Sequence, residues 1–148
     1  MGNCAGCKRN CCGNKFQGLE KSFKHSNPDL FDQIILSKAE VARIKKIGAE
    51  QYIEYINGLP CITLNKDNSC KAFKDGMCTI YDARPDVCRL YPFYFDPFVG
   101  ILIDKNCPGF EADEFEKADP EFKKEIFKLV KNRVKLFEEI EKKKNSVK

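Results

Sequence analysis

Residues 70–92 read C-K-A-F-K-D-G-M-C-T-I-Y-D-A-R-P-D-V-C-R-L-Y-P. Asp75-Gly76, between the first two cysteines, is a hairpin-turn pair, because both types tolerate the positive φ that a tight two-residue turn demands. Met77-Cys78-Thr79-Ile80-Tyr81 reads as a short strand on the return side. Pro85, Pro92 and Pro97 forbid long regular elements beyond it. The cysteines are therefore expected on turns and strand ends, where the backbone changes direction quickly and thiols can converge.

Working outward, the flanks carry helical signals. Ser37 followed by Glu40 is a capping box, in which each side chain satisfies a backbone donor of the first helical turn. Val41, Ile44 and Ile47 follow at helical spacing, and Gly48 interrupts them. Ala49 to Ile56 is expected as a second short helix, ended by Asn57-Gly58 and Pro60. Ile62-Thr63-Leu64 and Gly100-Ile101-Leu102-Ile103 read as further short strands. Asp119-Pro120-Glu121 joins a cap residue, a proline suited to the first helical position and an acid at the positive end of the helix dipole. Phe122, Ile126, Leu129, Val130, Val134, Phe137 and Ile140 then trace one apolar stripe, which predicts an amphipathic helix over 119–144 whose end frays in a lysine-rich tail. Residues 1–25 are rich in Gly and Asn and read as a loop. The expected fold is α+β: one small domain over 1–148, with helices packed on short β-hairpins and cysteine loops gathered at one end.

Composition narrows the chemistry. At 148 residues the chain suits one domain with a modest core, and its 32% charged and 43% apolar content is that of a globular protein. The net charge of +4 comes with no nucleic-acid-binding motif, so nucleic acid is not an expected partner and the lysines read as a solvated surface. The N-terminus has no apolar signal region and no run long enough to span a bilayer. Gly2 would suit myristoylation, but Gly6 stands where that motif wants Ser or Thr. A cytoplasmic protein with no membrane association is expected, with a protein as the partner class left open.

Nine cysteines then need a purpose. Cytosolic thiols are kept reduced, and an odd count leaves at least one outside any intramolecular disulfide set. Metal ligation is the reading that also explains the N-terminal loop, which lacks a core to hold it. Cys4 and Cys7 form a C-x2-C knuckle, with Gly6 letting the loop turn tightly. Cys11 and Cys12 are adjacent, which strains binding of one tetrahedral ion by both and suits two metals, a cluster edge, or one ligand with a spare thiol. Cys70, Cys78, Cys88 and Cys107 supply the second half, and Cys107-Pro108 echoes the ending of ferredoxin cysteine runs. His25 is the single histidine and reads as loop, outside the ligand set. A cysteine-only set suits an iron–sulfur cluster, iron, or a closed structural zinc site. Lys8, Arg9, Arg84 and Arg89 lie within four residues of cysteines; as cations around the ligand sulfurs they would tune such a centre, and otherwise they are surface charge.

The run from Cys70 to Pro92 resembles the core signature of the CxxCxxCC family, also called YkgJ-like, a family associated with zinc or iron chelation. The matching positions are Cys78, Ile80, Tyr81, Arg84, Pro85, Cys88, Arg89 and Pro92, and the resemblance extends over Cys4 to Cys107, with the L-S-x-x-E helix start at Leu36 to Glu40 in the family's order. The first cluster departs from the pattern, with C-x3-C-C where the family has C-x2-C-C, so Cys11 and Cys12 compete for one ligand role. Cys61 matches no family cysteine and reads as a small buried or reactive thiol. The resemblance implies chelation through Cys4, Cys7, Cys11, Cys12, Cys70, Cys78, Cys88 and Cys107. It leaves three functions open: an iron–sulfur protein of redox character, a structural zinc module that binds a partner, or a relative of the flagellin lysine N-methylases. The vicinal pair and the number of thiols favour iron–sulfur.

Overall fold

The structure, a computed structural model, describes residues 33–66, 69–91, 93–96, 100–103 and 114–146. The N-terminal loop with Cys4, Cys7, Cys11 and Cys12, together with His25 and Cys107, lies outside the described residues. The chain forms two compact units that divide between Pro85 and Asp86.

In the first unit, strand β1 (Gln33–Ile35) leads into helix α1 (Lys38–Lys46). The predicted capping box forms: Ser37 Oγ accepts from the Glu40 amide at 3.2 Å, and the Glu40 carboxylate accepts from the Ser37 amide at 2.6 Å. Glu40 is buried as a result, with its charge spent on a helix terminus that would otherwise leave donors unsatisfied. Ile44 is fully buried, whereas Ile47 is 49% exposed. The helix has ended by Ile47, and Gly48 at φ +71 turns the chain away before the apolar face can continue.

The helix expected over Ala49–Ile56 does not form. Glu50–Tyr52 makes one 3-10 turn, and strand β2 (Glu54–Ile56) follows. Asn57 and Gly58 take φ +51 and +77, the left-handed pair of a tight hairpin, so they close β2 onto strand β3 (Leu59–Thr63). Asn-Gly here is a turn between strands and not a helix stop. The sheet order is β1-β3-β2, antiparallel throughout, with Ile35 opposite Cys61 and Tyr55 opposite Pro60. Pro60 is tolerated in the middle strand because it sits where the β1 ladder ends. Its carbonyl accepts from the Leu36 amide at 2.8 Å, and its missing N–H removes only the reciprocal bond.

A bridge between Leu64 and Cys70 leads to the second hairpin, β4 (Phe73–Lys74) and β5 (Met77–Cys78). Asp75 and Gly76 take φ +51 and +74, as their types predicted. The strand stops at Cys78, short of the expected Tyr81. The Thr79 amide and hydroxyl both bond the Ala72 carbonyl, at 2.9 and 2.6 Å, and bend the chain into a 3-10 turn at Tyr81–Ala83.

The second unit begins with helix α2 (Asp86–Leu90), followed by the antiparallel pair β6 (Phe93–Asp96) and β7 (Gly100–Ile103). A short helix α3 (Glu114–Lys117) precedes α4 (Pro120–Ser146). The Asp119 carboxylate caps α4, accepting from the Phe122 amide at 2.9 Å. Ile126, Leu129 and Val130 pack with Leu90 and Phe93, and Phe122 and Val134 close the cluster. Leu136 is buried where the stripe had named Phe137, which is 37% exposed. The helix runs unbroken to Ser146, past the expected end at 144. The architecture is a small α+β fold of short antiparallel strand pairs and helices.

Candidate metal centre

Three of the eight expected ligands fall in described residues. Cys70 is buried, and its carbonyl accepts from the Phe73 amide at 2.9 Å, which ties it to the entry of the β4–β5 hairpin. Cys78 is half-buried on the return strand, opposite Phe73. The two thiols therefore bracket one hairpin, which the Asp75-Gly76 turn closes. Cys88 is half-buried on α2, in the second unit. Among the described residues no three His, Cys, Asp or Glu side chains stand together as a metal site. Cys4, Cys7, Cys11, Cys12 and Cys107 lie outside them.

Cys61 behaves differently from the others. It is fully buried in β3, and its thiol donates to the Leu59 carbonyl at 3.3 Å. Burial pushes its pKa up, and the nearby Glu54 carboxylate adds to the effect, so at neutral pH it is a protonated thiol. Of the two readings of Cys61, the small buried one describes it.

The basic residues of the signature divide as well. The Arg84 guanidinium lies 3.9 Å from the centre of the Tyr81 ring and donates to the Tyr81 carbonyl at 2.8 Å. It is a structural cation of its own turn, and Tyr-x-x-Arg spacing was the signal for that contact. Arg89 is half-buried on α2, next in sequence to Cys88. Its Nε is buried with no hydrogen-bond partner among the described residues. Lys8 and Arg9 lie outside the described residues.

Sequence reasoning missed several supporting side chains. Arg43 on α1 donates from Nη2 to the Arg84 carbonyl at 2.9 Å and from Nε towards the Ala83 carbonyl at 3.5 Å. No periodicity or spacing reveals a bond across forty residues of sequence. Asp86, the first residue of α2, is buried and accepts from the Asn132 amide group at 3.2 Å, which anchors α2 to α4. Lys71 pairs with Glu54 and holds that carboxyl below its usual range. Tyr52 has its hydroxyl pKa lowered by a hydrogen bond with Thr79 and by Lys74, whose ammonium lies 5.3 Å from the ring centre. These contacts fasten the flanks of the Cys70–Cys78 hairpin to the three-stranded sheet of the same unit.

Elsewhere, α4 presents an open groove where Lys123, Lys124, Lys128 and Lys131 surround Phe127, which is half exposed. Among the described residues no helix is long and apolar enough to cross a membrane. No curated protein and no solved structure matches the chain. One family model does, over residues 3–121, and its description is "putative zinc- or iron-chelating domain". That span takes in every cysteine of the chain, the capping box of α1 and the Tyr81–Arg84 turn. The chain belongs to the CxxCxxCC family.

Proposed function

We propose that the protein holds an iron–sulfur cluster through cysteine thiolates and serves a redox role. The ligands proposed are Cys4, Cys7, Cys11, Cys12, Cys70, Cys78, Cys88 and Cys107, with Cys11 and Cys12 sharing one role or serving two centres. The observation that carries metal binding is the family match over all of these positions. The donor chemistry fits. Every proposed ligand is a thiol, and Cys70 and Cys78 bracket a tight hairpin. The buried Arg89 Nε beside Cys88 is the kind of orphaned donor that an anionic thiolate centre satisfies. The vicinal pair and the excess of thiols over one four-ligand site favour iron–sulfur over zinc. When bound, a cluster supplies one-electron chemistry; the protein's part is to hold the thiolates and set the charge around them.

A structural zinc site is the second reading. The β4–β5 hairpin has two residues in each strand, and a zinc cross-link stabilises such short elements directly. Metal analysis and a visible spectrum of anaerobically purified protein decide between them. Iron with acid-labile sulfide and a broad band near roughly 400 nm, as for thiolate-held clusters, supports the first. Colourless protein with stoichiometric zinc replaces it with the second. Protein that purifies without metal and takes up neither overturns both.

A further inference from the structure

We infer that Arg43 is a positioning residue of the metal centre, clamping the Tyr81–Arg84 turn that follows the Cys78 hairpin. The inference rests on the metal-binding reading above and extends it to a residue that is not a ligand. Arg43 stands in the middle of α1, half-buried, and its guanidinium serves two successive carbonyls, those of Ala83 and Arg84. These carbonyls close a three-residue 3-10 turn, so few local donors are available to them. Pro85 follows, fully buried and without an N–H, and Arg84 is extended at ψ 147, as a residue before proline must be.

The same turn is held from its other end. The Tyr81 carbonyl accepts from the Arg84 amide at 3.4 Å and from the Arg84 guanidinium at 2.8 Å. Two arginines thus occupy the carbonyls of Tyr81, Ala83 and Arg84. A planar guanidinium does this from two nitrogens at once, which fixes the peptide planes as well as their distance; an ammonium donates from a single atom and holds no such plane. Two residues separate the strand end at Cys78 from the turn. The clamp therefore fixes the chain directly after a proposed ligand. The helix that supplies Arg43 starts at the L-S-x-x-E capping box.

The test uses the full chain loaded with zinc, with affinity read by competition against a chromophoric chelator. Cobalt-loaded protein supplies a second readout, since its visible bands report thiolate geometry. Arg43→Gln is expected to weaken zinc about 10–100-fold, the usual cost of losing a group that orients a ligand, and to shift the cobalt bands. Arg43→Lys is expected to restore part of the affinity. Ser37→Ala, which loosens the start of the same helix without touching the turn, is expected to lower the melting temperature and leave affinity and spectrum unchanged. Arg43→Gln or Arg43→Lys with wild-type affinity and spectrum overturns the inference alone. Should Arg43→Gln fail to fold, Arg43→Lys decides it. A wild-type chain that takes up no iron, no zinc and no cobalt overturns the metal reading and the clamp together.

Discussion

The β4–β5 hairpin and helix α4 keep their shapes by different physics. The helix is fixed by burial: Ile126 is fully enclosed, and Leu129, Val130 and Phe93 pack with it. Each such side chain contributes about 1.5–3 kcal/mol of transfer free energy. The hairpin has two residues per strand, an exposed Met77, and a half-buried Cys78. What defines it is backbone geometry at Asp75-Gly76, the Thr79 bonds to Ala72 and the carbonyls held by arginine. A segment built this way has shape without much stability of its own. The comparison teaches where a bound metal has most to add, which is the region that burial serves least.

Metal removal gives the largest expected effect. Chelation, or Cys78→Ser, is expected to strip the metal and to abolish amide protection over 70–88 while protection in α4 persists. Hydrogen exchange followed residue by residue measures this. Simultaneous loss in both regions would show that one cooperative unit spans them and that the contrast is false. Ile126→Ala probes the other side. It is expected to cost about 2–5 kcal/mol in denaturant unfolding while the folded fraction keeps its full metal content. Metal loss from folded Ile126→Ala would tie the centre to the helical core.

Gly76→Ala sharpens the hairpin side. Nothing lies within 4 Å of where its Cβ would be, so the cost is purely the φ of +74. That places it at about 1–2 kcal/mol, with weaker metal retention if the hairpin holds ligands at both ends. The smallest effect is pH-dependent. Lys71 lowers the pKa of Glu54, a folded-state depression. Its contribution is present above the ordinary glutamate pKa and is lost as pH falls through the lowered folded value. Glu54→Gln should flatten that acid limb of the melting-temperature profile, lying slightly below wild type at neutral pH and meeting it at low pH; the difference is small because the pair is over a third exposed.

Elements specified by neighbours in sequence were legible. The capping box, the Asp119 cap and the Asp75-Gly76 turn each need only three or four residues, and all three form. The stripe of α4 was legible apart from Leu136, because burial by one long helix preserves its period. Ala49–Ile56 misled because Asn-Gly ends helices and joins strands alike, and β3 decides which by pairing with β2. The strand β6, between two prolines, was invisible until paired with β7. At the site, the ligand residue type was plain from the cysteine count. The Arg43 clamp was not, since its partners are set by tertiary approach and by no local rule.

The Asn57-Gly58 turn has a chemical consequence as well as a geometric one. It is the one Asn-Gly pair in the chain, and nothing within 4 Å shields the place where a Gly58 side chain would be. In such a pair the backbone nitrogen of Gly58 can attack the Asn57 carboxamide and expel ammonia, which forms a succinimide. Opening of that ring releases aspartate or isoaspartate, and isoaspartate adds a backbone atom at the tip of β2–β3. Stored protein should thus age at this corner, gaining a negative charge and fraying the tip of the β2–β3 hairpin.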